Sequence, residues 1–265
     1  MDLWETIILR PIINVLIVTS KYLFGSPGLA IIVFTVIIRG AMYPLTKQQL
    51  VASKKMQALQ PKIQELQKKY GKDKQRMAKE QAALFKESGM TNIGCILPML
   101  IQMPIWIALY QSIIRILATG PEELLNLSRY LYSSWHIVFP VVPLNSRFLW
   151  LNLGSPDTFF IMPILVAGTM WIQQKMVTPK NTDPQQAAQG QMMLVMMPLL
   201  FGFLTLSYPS GLALYWVISN IISIIMQYFV TGWGGLDTLW FNKKSDNTGK
   251  PSKPAPETKV LPPAK

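Results

Sequence analysis

The sequence predicts an all-helical membrane protein of five transmembrane helices, and three observations carry that prediction. Half of the 265 residues are apolar, and the charged residues gather in a few blocks that leave long runs almost free of them. A run of roughly 18 or more apolar residues is long enough to cross a bilayer. The basic residues then alternate in density between the segments joining those runs, as an odd number of crossings requires.

Composition excludes several functional classes. Cys95 is the only cysteine, so neither an internal disulfide nor a zinc-binding spacing exists. His136 is the only histidine, which removes most acid–base and metal chemistry, and the spans offer no carboxylate to build an enzyme site from. No cofactor is implied, and no phosphate-binding Gly-x-x-x-x-Gly-Lys motif is present. The formal charge of +12 points instead to an anionic partner, either lipid headgroups or nucleic acid.

Residues 1–25 read as an N-terminal extracytoplasmic, interfacial amphipathic helix. The chain opens Met-Asp-Leu-Trp-Glu, and Arg10, Pro11, Asn14 and Lys21 interrupt the apolar stretch, which argues against a cleavable signal. Arg10, Asn14 and Lys21 fall near one helical face opposite Ile8, Ile12 and Val15, with Trp4 and Tyr22 as interfacial anchors. Ser26-Pro27-Gly28 then breaks the helix.

The core, 26–233, holds spans at about 29–45, 93–117, 159–177, 192–206 and 212–233. Between the first two lies a basic insert, 46–92, with eleven Lys and Arg against four acids. Met56, Leu59, Ile63, Leu66 and Tyr70 repeat at alternating intervals of three and four, the seam of two packed helices. Gly71-Lys72-Asp73 supplies a turn, and Met77, Leu84 and Phe85 supply the facing surface, so the insert is a helical hairpin. Pro61 should kink or break its first helix. Residues 234–265, rich in Lys, Pro and Ser, are expected to be a disordered basic tail.

The aromatic-rich connection at 118–156, taken through Asp157, carries two cations against three acids, whereas the tail from 233 carries six against three. The insert, the 178–191 loop and the C-terminus are therefore expected in the cytoplasm, with the N-terminus outside. The absence of an Arg-rich organelle leader favours the bacterial plasma membrane.

Arg39 is the sharpest functional signal. An arginine deep in a span costs about 2.5–3.5 kcal/mol on insertion scales, so it should face protein or water. No Asp or Glu occurs within any of the five spans to pair with it. At about 1.5 Å per residue, Arg39 lies roughly 15 Å below the start of its span. Ser219, Asn220 and Ser223 reach comparable depth, with Gln227 lower; Gln102, Gln173 and Gln174 fall in the same half of the membrane. Together with Trp216, these residues are expected to line a hydrophilic groove open to the cytoplasm and closed to the outside. Met193, Met196 and Met197, with Met192, form a methionine stripe on the fourth span. Such a stripe is packing filler if buried and an adaptable apolar surface if it faces lipid.

Five segments carry a family resemblance. They are Thr-Val-Ile-Ile-Arg-Gly-Ala-Met-Tyr-Pro-Leu at 35–45, Leu-Gln-Pro-Lys-Ile at 59–63, Gly-Cys-Ile-Leu-Pro-Met-Leu-Ile-Gln-Met-Pro-Ile at 94–105, Phe-Leu-Trp-Leu-Asn-Leu at 148–153 and Pro-Ser-Gly-Leu-Ala-Leu-Tyr-Trp-Val-Ile-Ser-Asn at 209–220. In this order they resemble the YidC/Oxa/Alb membrane protein insertase family, in its short bacterial form without the large periplasmic domain. The resemblance implies five core spans, a cytosolic hairpin and a groove whose arginine, Arg39 here, helps to insert some substrates. It also implies an apolar slide on spans two and four, made of Met99, Met103 and Ile107 with Met193, Met196 and Met197. The partners it implies are nascent membrane proteins, the ribosome through the basic hairpin and tail, and anionic lipids; the Sec translocon is left open. Two rival classes are a small-anion transporter and a ribosome-tethering scaffold. The first lacks repeats and an acidic relay, and the second would need no polar residues in its spans.

Overall fold

The computed structural model describes residues 3–71, 73–88, 93–117, 120–132, 144–178 and 184–236, with the backbone alone at 74, 93–101 and 184–186. The expectations for His136, for the tail beyond residue 236 and for the side chains of Cys95 and Met99 lie outside the described residues. Helices dominate what is described, joined by one short β-hairpin.

A π-helical turn, Glu5–Leu9, leads into α1, Arg10–Tyr22. The second helix, α2, spans Pro27–Ala41. Ser26 caps it by accepting from the Leu29 N–H at 3.4 Å, and Pro27 stands where no intrahelical donor is needed. At Met42 the chain turns by 62° into α3, Tyr43–Tyr70. Pro44 opens α3, and its missing N–H and ring disfavour a straight continuation of α2. The first expected span, 29–45, is therefore cut at this bend, and its last residues belong to the insert.

The helix α3 runs through Pro61 as a single element, so the expected break does not occur there. Its partner α4, Lys74–Glu87, is capped by Asp73, which accepts from the Arg76 N–H at 3.1 Å. Ile63, central in the expected seam, is the buried residue of α3, with Met56, Leu59, Leu66 and Tyr70 half-buried around it.

The remaining helices are α5, Ile93–Ile116; α6, Pro121–Ser128; α7, Ile161–Val177; α8, Pro184–Leu204; and α9, Ser210–Thr231. The strands β1, Arg147–Phe148, and β2, Leu151–Asn152, pair antiparallel before α7. Asp157 starts α7 by accepting from the N–H groups of Phe159 (3.1 Å) and Met162 (2.8 Å). Among the described residues, Ala187–Leu204 and Ser210–Thr231 are long and apolar enough to cross a membrane, and α2 with α3 would add a third if the bent pair is one span. The helices α5 and α7 cover the segments expected at 93–117 and 159–177.

The core forms where α1, α2, α5, α7 and α9 meet. Ile13, Leu16 and Ile17 of α1, Ile31 and Phe34 of α2, Leu109 and Ile113 of α5, Val166 of α7 and Leu212 and Tyr215 of α9 belong to one buried cluster. Two close approaches set its geometry: a Cβ at Gly28 would overlap the Phe148 ring, and Gly211 sits 3.1 Å from Ile113 Cγ2 by the same construction.

One expectation about α1 is corrected. Arg10 and Asn14 do not face water. Asn14 is fully buried; its Nδ2 donates to the Tyr130 carbonyl at 2.8 Å, and its Oδ1 accepts from the Tyr132 N–H at 3.0 Å. Arg10 Nη2 donates to the Leu131 carbonyl at 3.3 Å, and its guanidinium lies 5.2 Å from the Tyr132 ring centre. Lys21 alone of the three is exposed, while Leu3, Ile7 and Val15 turn outward. The polar side chains serve otherwise unpaired backbone groups in the 130–132 loop, and that demand decides which way the helix faces.

Candidate functional site

The site grows from the i, i+4 spacing of α9. Tyr215, Ser219, Ser223 and Gln227 fall on one face, and all four are buried, at 1%, 1%, 6% and 2% exposure. Polar side chains inside a membrane bundle turn toward neighbouring helices rather than lipid. Ser223 Oγ donates to the Ser219 carbonyl at 2.8 Å, bonding back along its own helix. Ser219 Oγ is buried with no hydrogen-bond partner among the described residues.

At the top of this stripe three helices converge. Gln102 Nε2 of α5 donates to the Tyr215 hydroxyl at 2.7 Å. Arg39 of α2 lies close enough to the same tyrosine to interact with it electrostatically. The Arg39 Nε is buried without a hydrogen-bond partner among the described residues. A guanidinium donor, an amide and a phenol therefore meet inside the bundle, and one strong donor has no acceptor among the described residues. That arrangement can accept an anion or a carbonyl from outside the chain.

The other predicted residues distribute around it. Asn220 Nδ2 donates to Thr169 Oγ1 of α7 at 3.1 Å, on a different face from the stripe. Gln173 and Gln174 are half-buried near the C-terminal end of α7. Trp216 stacks on Trp106 of α5 with ring centres 5.8 Å apart and meets Phe201 and Tyr208 edge-on at 5.3 and 6.2 Å. This aromatic cluster draws together α5, α8, α9 and the α8–α9 turn, a packing contact rather than a polar lining.

The apolar residues behave differently. Met103, Ile107, Met193, Met196 and Met197 are 45%, 39%, 46%, 54% and 40% exposed, and Met192 is more exposed still. Only 17% of 187–204 is buried, against 44% of an equally long apolar stretch of Ser210–Thr231. The methionines of α8 thus lie on the outer surface of the bundle rather than in its core.

Tyr215 is the residue that sequence reasoning missed. It stood inside a quoted motif, but a tyrosine near a span end reads as an interfacial anchor. Its spacing of four from Ser219 was the available signal.

Long apolar helices packed around a half-buried arginine and an inter-helix polar cluster define a multi-pass integral membrane protein. Residues 19–234 match the family described as the 60Kd inner membrane protein, and the chain belongs to that family, the YidC/Oxa group. The chain is 39% identical over 210 residues to "Membrane protein insertase YidC" of Tolumonas auensis, covering 78% of this chain and 33% of that protein. The protein of the same name from Vibrio cholerae is 37% identical over 229 residues, covering 86% of this chain and 37% of that one. The Geobacter sulfurreducens protein of that name is 35% identical over the same length. The chain thus spans about a third of the length of the curated relatives it matches. Among solved structures it is similar to an active YidC insertase crystal structure with the first transmembrane domain resolved, at 25% identity and a TM-score of 0.57, covering 86% of this chain and 47% of that one.

Proposed function

We propose that this protein is a membrane protein insertase and chaperone. It moves hydrophobic segments of newly made proteins from the cytoplasm into the plasma membrane and carries short hydrophilic tails across. The observation that carries this reading is the buried Arg39 Nε with no acceptor among the described residues, beside the Tyr215–Gln102 pair. The relatives named membrane protein insertase support the same conclusion.

In this mechanism five spans enclose a groove open to the cytoplasm, lined by Arg39, Gln102, Gln173, Gln174, Ser219, Asn220, Ser223 and Gln227, with Trp216 packed behind it on Trp106. An acidic or carbonyl-rich terminus of the client meets Arg39 and exchanges water for the guanidinium donor. The polar segment then crosses a shortened apolar barrier. The client's hydrophobic helix leaves along Met99, Met103 and Ile107 and the α8 methionines into lipid, and burial of its apolar surface drives that step. The exposure of the α8 methionines supports such a slide, because a flexible thioether surface accommodates many helix shapes. The hairpin α3–α4 and the basic tail, on the cytoplasmic side with the C-terminus, would hold the ribosome and anionic lipid. The Sec translocon is a further candidate partner. No observation favours a small-anion transporter or a bare scaffold.

The test is insertion of a single-span client with an acidic translocated tail by the reconstituted protein. Arg39→Ala should lower insertion of that client at least tenfold, and Arg39→Lys should restore much of it if positive charge suffices. Full activity of Arg39→Ala would remove the charge-attraction step.

A further inference from the structure

Among the described residues, three that are not glycine adopt left-handed backbone: Phe24 (φ 57°), Leu149 (φ 55°) and Phe160 (φ 58°). Glycine or asparagine takes this conformation readily, whereas a bulky side chain is strained in it. All three side chains are large and apolar, and all three project outward, at 96%, 76% and 58% exposure. Packing inside the protein therefore does not compensate the strain. A turn needed only to reverse the chain would be cheaper with glycine.

The three share one end of the bundle. Phe24 lies in the turn leading into α2, and Phe160 caps the start of α7. Leu149 is at the tip of the β-hairpin, whose Phe148 closes on Gly28 at the start of α2. Just past that hairpin, the Leu153 carbonyl accepts from the Gly211 N–H at 3.0 Å, at the start of α9. Their chain neighbours Tyr22, Trp150 and Phe159 are also exposed aromatics. From Phe160 the outward apolar row continues along α7 through Ile161, Ile164 and Leu165. Lys21 and Arg147, both exposed, stand beside the aromatics where lipid phosphates would lie.

We propose that Phe24, Leu149 and Phe160 are membrane anchors that enter the interfacial layer of the leaflet at this end of the bundle. The β-hairpin tip then folds back onto the bilayer instead of standing in the aqueous phase. The strained turns aim a bulky side chain outward, and transfer of that side chain from water into the interface offsets their cost. Tyr22, Trp150 and Phe159 add the amphipathic rings that settle at headgroup depth.

The full chain with Cys95→Ala, carrying one further cysteine at a time, tests this in vesicles of phosphatidylethanolamine and phosphatidylglycerol. Phe24→Cys, Leu149→Cys and Phe160→Cys are labelled with an environment-sensitive fluorophore, and the exposed Asn145→Cys serves as the aqueous reference. Labels at the three sites should emit to the blue of the label at 145. Lipid bearing a doxyl group near its headgroup should quench them several-fold more, and iodide several-fold less. Iodide quenching at any of the three equal to that at 145 overturns the proposal. If the left-handed positions do not accept cysteine, Trp150→Cys and Phe159→Cys give the same reading at ordinary backbone angles, with the same two outcomes.

Discussion

Gln102 and Tyr215 are joined by a 2.7 Å hydrogen bond that ties α5 to α9 through the interior of the bundle. The tyrosine is 1% exposed, so its hydroxyl can reach Gln102 and the Arg39 charge but not bulk water. Tyr215 thereby connects two residues 63 positions apart in the chain, Arg39 and Gln102, that share no helix.

Removing that hydroxyl should be felt on both helices. Inter-helix hydrogen bonds in bilayers contribute about 0.6 kcal/mol on average and about 1.7 at most. Tyr215→Phe is expected to lower stability in detergent by roughly that amount, read by denaturant titration of the folded fraction. A double-mutant cycle with Gln102→Leu should show less than additive loss; strict additivity would mean the pair does not couple.

Asn14 is fully buried and bridges α1 to the backbone of Tyr130 and Tyr132. Replacement by leucine keeps the branched shape but removes the acceptor of the Tyr132 N–H and one of the two donors to the Tyr130 carbonyl, Arg10 Nε being the other; losing such partners costs about 1–3 kcal/mol. Asn14→Leu should therefore expose the 130–132 region to protease in proteoliposomes. An unchanged digestion rate would show that water replaces the amide at no cost.

The close approach of Gly28 to the Phe148 ring sets where the β-hairpin sits on α2. Gly28→Ala should destabilise by overpacking, typically about 1–3 kcal/mol. Phe148→Ala should largely relieve the clash in the double variant, so the combined loss falls below the sum of the single losses. Thermal unfolding of the four proteins checks this.

Tyr130 donates to Glu5 Oε1 at 2.7 Å. That bond and partial burial raise its pKa above 10.0, and the Arg115 guanidinium opposes them in part. The folded state thus holds the phenolic proton more tightly than the unfolded chain. The resulting stability is fully present below pH 10 and is lost as pH rises through the raised folded-state value. Glu5→Gln should lower the transition seen by ultraviolet absorbance of the ionised tyrosine. No movement would sever the two groups.

Much of the helical layout was legible before any coordinates. The segments expected at 93–117, 159–177 and 212–233 fall on α5, α7 and α9, because long apolar runs with at most one charge, near the end, have few alternatives in a bilayer. The seam of the basic insert was legible too, because its polar flanks leave one apolar stripe around Ile63. Arg39 and Gln102 stood out because polar side chains are rare in such runs.

Facing was harder to read. On α1 the apolar positions could not show that Arg10 and Asn14 turn inward, since a helix against lipid exposes Leu3, Ile7 and Val15 at no penalty. The 62° bend at Met42 depends on where α3 packs, and Pro44 indicates only that some break is tolerated. The bent pair is also why 29–45 is not a single straight element.

The sequence by itself determined where α5, α7 and α9 lie, that Arg39 has no carboxylate partner within the spans and that one insert is basic, though not that α8 starts at Pro184 within the expected 178–191 loop. Tertiary structure alone decided that Tyr215 stands between Arg39 and Gln102, that Trp216 packs on Trp106 and that the α8 methionines look outward. The physical reason is that lipid is as apolar as a protein core. In water a hydrophobic stripe announces the buried face, whereas in a bilayer it only announces the membrane, and the polar contacts between helices choose the orientation.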